Sequence, residues 1–165
     1  MRIPALAGAI ALAALATTAA FAHQVKVGTL IIHHPWTRAT PKGATVAGGY
    51  TIIENTGDKA DRLIGGTFAE SAAVELHVME MKDGVMTMRP AKDGIPIPPH
   101  GRIEFQPGGL HMMFTGLKSQ LMGDDEIAGT LIFEKAGSVA VDYEVQGMGT
   151  KEPVESPGHD HGATN

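Results

Sequence analysis

The dipeptide Asp83-Gly84 constrains this chain more than any other pair of residues. It sits between ELHVMEMK and VMTMRP, two runs that alternate apolar and polar residues. Asp-Gly tolerates the positive φ that a type I′ turn requires, and that turn matches the twist of two antiparallel strands. A two-residue turn leaves one register: Lys82 opposite Val85, Met81 opposite Met86, Glu80 opposite Thr87 and Met79 opposite Met88. Strand side chains alternate faces, so His77, Met79, Met81, Met86 and Met88 project from one side. Opposed residues then lie about 5 Å apart and diagonal neighbours about 7–8 Å.

Further along, GGLHMMFT puts His111 and Met113 on one face of a strand and Leu110, Met112 and Phe114 on the other. Beside the hairpin, such a strand completes a site of two imidazoles and two thioethers. Seven of the nine methionines and three of the eight histidines lie between His77 and Met122. Methionine on a strand is ordinarily core filling. Its clustering on one face, with histidine on two separate segments, points to a metal. Thioether sulfur is a soft, neutral donor, poor for zinc, calcium or magnesium, and with imidazole it selects copper, Cu(I) above all. The hairpin register by itself favours Met79, directly across from Met88, over the diagonal His77.

A chain of 165 residues is one domain's worth. Its net charge of −5, the lack of a basic run and the scarcity of aromatics argue against a nucleic-acid partner. There is no cysteine. That excludes disulfides, thiolate zinc sites, blue-copper centres, covalent haem and thiol redox chemistry, and leaves the chain indifferent to an oxidising compartment. At the N-terminus, Arg2, an apolar stretch over residues 3–20 and the small-x-small run Ala20-Phe21-Ala22 form an export leader. Residues 1–22 are therefore expected to be removed, giving a periplasmic protein whose mature part does not enter the membrane. His23 would then be its first residue, with an amine and an imidazole able to chelate Cu(II) together.

Between these landmarks the chain reads as strands. A β-branched run covers residues 25–32, and Pro35 and Pro41 mark an irregular connection after it. His33 and His34 are assigned structural or surface roles, and Trp36 the core. Residues 45–55 form a strand whose Gly48-Gly49 pair signals a bulge or a close backbone approach. Shorter strands follow from Leu63 and from Ala72. Residues 91–100 cross between sheets, pinned by Ile95 and Ile97, with His100 exposed. Strands over 103–105, 126–134 and 138–146 finish the set. No amphipathic helix of convincing length is present. The expectation is an all-β fold, a Greek-key antiparallel β-sandwich over residues 23–149. Residues 150–165 are almost devoid of apolar groups and are expected to form a flexible tail. Its His159 and His161, flanking Asp160, suit Cu(II) or zinc and would gather ions for the core site.

The segments HPWTRATPKGATVAGGYTIIENTG, HVMEMKDGVMTMRP and PGGLHMMFTGLK resemble the periplasmic copper chaperones called PCuAC, over nearly all of the mature chain. The family motif is a histidine, ten residues, a methionine, a spacer of about twenty-two, then His-x-Met. Position by position it falls on His77, Met88, His111 and Met113. The resemblance implies a cupredoxin-like fold and a Cu(I) carrier; a monomer is expected. Delivery would be by ligand exchange to the copper-A centre of cytochrome c oxidase or to a Sco-type thiol protein. It makes Met79, Met81 and Met86 supporting, entry-path or packing residues, and it implies a carrier instead of an enzyme. A copper sequestration protein would use the same ligands without a dedicated acceptor. An electron-transfer protein would cycle the same ion, but without a thiolate it lacks the strong equatorial ligand such cycling uses.

Overall fold

The computed structural model describes residues 24–152. The leader, His23 and the tail histidines His159 and His161 lie outside that range. Within it the chain forms eleven strands and no helix. They are β1 (Gln24–Val27), β2 (Leu30–Arg38), β3 (Val46–Asn55), β4 (Asp61–Phe68), β5 (Ala73–Lys82), β6 (Val85–Pro90), β7 (Ile95–Ile97), β8 (Arg102–Phe105), β9 (His111–Thr115), β10 (Glu126–Phe133) and β11 (Gly137–Gln146).

The β5–β6 hairpin has the register that the Asp83-Gly84 turn dictates, from Lys82 opposite Val85 to Met79 opposite Met88. Asp83 and Gly84 take φ of 52° and 80°, the left-handed conformation that type I′ needs at both positions. β9 pairs antiparallel with the other edge of β5, matching His77 to His111 and Glu75 to Met113. Its far edge pairs with β3.

Hydrogen bonding runs continuously through the order β6-β5-β9-β3-β2-β11-β10-β4-β7, with β1 attached to β2 and β8 to β3. β9 and β4 are distant in that order, yet Phe114 of β9 stacks on Phe68 of β4 with ring centroids 4.0 Å apart. The ladder therefore curls over on itself into two layers around one core. Leu63, Met112, Phe114, Leu131, Phe133 and Tyr143 are buried there, each worth about 1.5–3 kcal/mol in apolar burial. Ile95 and Ile97 are buried as well, holding the 91–100 crossing against β4.

Three local expectations are corrected. The run over residues 25–32 is a hairpin, because Gly28 supplies a φ of +55° between β1 and β2. The connection around Pro35 is strand: β2 continues to Arg38, with a register shift between His33 and Trp36. That shift takes the N–H-lacking proline out of the ladder, and His34 absorbs it with a φ of 42°. The sheet is also mixed instead of purely antiparallel, since β11 lies parallel to β2 through Glu144–Trp36, Val145–Thr37 and Gln146–Arg38. A pairing between the first long strand and the last leaves no turn signal in the sequence.

Candidate metal centre

Two imidazoles meet where β5 and β9 pair. His77 and His111 are directly opposed, their rings nearly parallel at 18° with centroids 5.7 Å apart. The parity of β9 explains how. Met112 and Phe114 point inward and are fully buried, so His111 and Met113 turn to the outer face, where both are half-buried. Met113 is opposed by Glu75 on β5 and by Gly48 on β3. A Cβ at Gly48 would collide with the Tyr50 hydroxyl, so Tyr50 walls this face on the β3 side. Burial raises the pKa of that hydroxyl, and the charge of Arg38 partly opposes the rise.

The protons can be placed. His111 Nδ1 is 2.8 Å from the carbonyl oxygen of Gly109. A carbonyl only accepts, so Nδ1 donates and Nε2 carries the lone pair, the arrangement by which metal-binding histidines are oriented. His77 Nε2 lies 3.5 Å from the Glu75 carboxylate, while its Nδ1 is buried with no hydrogen-bond partner. An unpartnered buried polar atom costs about 1–3 kcal/mol and calls for an explanation such as a ligand. Among the described residues no cluster of three or more His, Cys, Asp or Glu is suited to a metal. An ion held here must draw on thioethers, and that selects a soft one.

Register puts the thioethers on the same face. Met79 follows His77 by two residues, and Met88 opposes Met79 while standing diagonal to His77. Met79 is half-buried and Met88 is 48% exposed. Met81 and Met86 continue the face toward the hairpin tip. His33, on β2, contacts Glu54 at 3.3 Å, and His100, after β7, contacts Asp58 at 2.7 Å; neither belongs to the β5–β9 pairing. Of the segment expected to be tail, Thr150 accepts a 2.6 Å hydrogen bond from Arg38 Nε. Sequence reasoning passed over Glu75, the Gly109 carbonyl and Tyr50. Glu75 was accessible to it, since two residues before His77 on a strand means the same face.

Fold and face together define an all-β, cupredoxin-like domain that presents paired imidazoles and thioethers at one end of its sheet. The chain belongs to the LpqE-like family, whose model, described as "Putative lipoprotein LpqE-like", matches residues 30–145. A relative from Leifsonia xyli subsp. xyli (strain CTCB07), "Putative lipoprotein Lxx21020", is 34% identical over 106 residues, 64% of this chain and 63% of the relative. The match thus spans less than two thirds of that relative's length. Among solved structures, the chain is similar to the copper-bound PCuAC domain from PmoF2, with 34% identity and a TM-score of 0.64 over 76% of this chain and 98% of that one. The apo form of that domain is 32% identical with a TM-score of 0.65, over 79% of this chain and all of the other.

Proposed function

We propose that this protein is a periplasmic copper carrier, holding Cu(I) between His77, Met88, His111 and Met113 and surrendering it by ligand exchange. The observation that carries the proposal is the opposed His77–His111 pair, one nitrogen of which is buried without a partner, on a face shared with thioethers. The similarity to a domain described as copper-bound supports it. His111 offers Nε2 and His77 offers Nδ1. All four donors are neutral, and Glu75 beside His77 supplies a negative charge without joining the set.

Copper is cargo here, and no substrate bond is made or broken. Met88 sits on an exposed edge strand, so it is the donor an incoming ligand can displace first. Thiolates bind Cu(I) more strongly than thioethers, so an acceptor with paired cysteines draws the ion onward. The copper-A-bearing subunit of cytochrome c oxidase and a Sco-type assembly protein have that chemistry. Export is supported by the leader-like residues 1–22 and by the family's description as lipoprotein.

Titration of residues 23–165 with Cu(I) against a chromogenic chelator tests the proposal. One tight equivalent is expected, weakened at least tenfold by His111→Ala or Met88→Ala and retained in a form ending at Gly149. Parent-like binding by the His111→Ala protein would place the ion elsewhere.

A further inference from the structure

We infer that the outer half of the β5–β6 hairpin carries a second soft-metal site, in which Met81 and Met86, with Met79 as a third donor, bind Cu(I) and pass it inward to the His77–His111 pair. The relay rests on the carrier function proposed above; the thioether site stands on its own observations.

The first is that the hairpin leaves the body of the sheet as a bare ribbon. β9 pairs with β5 only from Ala73 to His77, and β6 pairs with β5 alone. Residues beyond Val78 have no third strand, and two-stranded ribbons are marginal by themselves. The second is that the two faces of this ribbon differ in kind. One carries the ribbon's charged and hydroxyl groups beside Val78 and Val85: Arg89 binds Glu80 at 2.6 Å, and the Thr87 hydroxyl donates to the Glu80 carbonyl at 3.3 Å. The other presents two opposed thioether pairs, Met79–Met88 and Met81–Met86.

The outer of the two pairs stands in solvent. Met81 is 66% exposed and Met86 48%. An exposed edge ribbon made only for stability is better served by β-branched, aromatic or charged residues. Ordering methionine is costly in side-chain entropy, and exposing it forgoes the burial that offsets the cost. What methionine offers there that leucine does not is sulfur. Opposed thioethers have Cβ atoms about 5 Å apart, within reach of a single ion. Successive pairs along the ribbon are about 7 Å apart at 3.3–3.4 Å per residue. Together they form a line of neutral donors from the tip to the imidazoles. With no carboxylate cluster there, the tip suits a soft monovalent ion and not calcium, magnesium or zinc.

Ag(I), which binds like Cu(I) and does not cycle, is the probe. Protein carrying ¹³C-methyl methionine is titrated and followed by NMR. The first equivalent is expected to shift Met88 and Met113, and the second to shift Met81 and Met86. The double variant Met81→Leu/Met86→Leu keeps the apolar surface and removes the sulfur. It should lose the second phase by at least tenfold in affinity while keeping the first. In His111→Ala, the tip methyls should still respond. Tip methyls that stay fixed under excess Ag(I), or a double variant that binds as many ions as the parent, would overturn the site. Failure of the carrier proposal would show differently, as no response of Met113 to the first equivalent, whatever the tip does.

Discussion

Met112 and Met113 are neighbours on β9 and face opposite worlds. Met112 is fully buried, and its sulfur accepts a 3.5 Å hydrogen bond from the buried Tyr143 hydroxyl. Met113 is half-buried on the outer face, in line with His111 and across from Glu75. The inner sulfur already has a partner within the protein and fills space. The outer one shares its face with His77, whose buried Nδ1 has no hydrogen-bond partner. Position parity on one strand, and not residue type, separates the packed methionine from the outward-facing one.

The largest way to break this contrast is from inside. Phe114 lies against Phe68 at 4.0 Å and edge-on to Tyr143 at 5.2 Å, so Phe114→Ala leaves a cavity between the two layers. A loss of about 3–5 kcal/mol in urea unfolding is expected. A loss under about 1 kcal/mol would mean that the layers do not close on this residue.

A smaller and sharper comparison makes one chemical change at both positions. Met112→Leu keeps the volume but takes the acceptor from the buried Tyr143 hydroxyl, so it should cost about 1–3 kcal/mol of stability and leave Cu(I) affinity as in the parent. Met113→Leu should leave stability nearly unchanged and weaken Cu(I) at least tenfold, about 1.4 kcal/mol. Equal copper affinity in the two variants would dissolve the distinction between the faces.

How much of this was legible follows from which interactions are local. The β5–β6 register could be read because Asp83-Gly84 admits one turn geometry, and period-2 alternation set Met112 and Phe114 on the face opposite His111 and Met113, though not which of the two faces is buried. The closeness of Gly49 to the core was also signalled, as a Cβ there would overlap the Phe114 ring. The directly opposed His77 and His111 were not fixed by any turn. Thirty-odd residues separate them, and only the pairing of β9 with β5 brings them together. The parallel β2–β11 contact and the strand through Pro35 were hidden for the same reason: distant partners, not nearby residues, determine them. Among the face-sharing donors, the hairpin register by itself favoured Met79 over the diagonal His77, and only the family resemblance put His77 in its place.

The smallest effect concerns what seals the inner face. Tyr143 is fully buried between Phe68 and Phe114, and burial raises its pKa well above the ordinary tyrosine value. Because the folded pKa exceeds the unfolded one, this contribution to stability is complete below about pH 10. It declines as pH rises from there toward the folded pKa, since the unfolded chain releases its proton first. Tyr143→Phe removes that alkaline liability. Near neutrality it costs at most about 1 kcal/mol, the hydroxyl's bond to a weak sulfur acceptor. Urea midpoints compared at about pH 8 and about pH 11 should therefore differ less in the variant than in the parent, and Tyr50 titrates in both and cancels. An unchanged pH dependence would mean that water reaches the Tyr143 hydroxyl. The inner sulfur of β9 would then be no more sheltered than the outer one, and burial would cease to explain why only one of the two methionines is free for an ion.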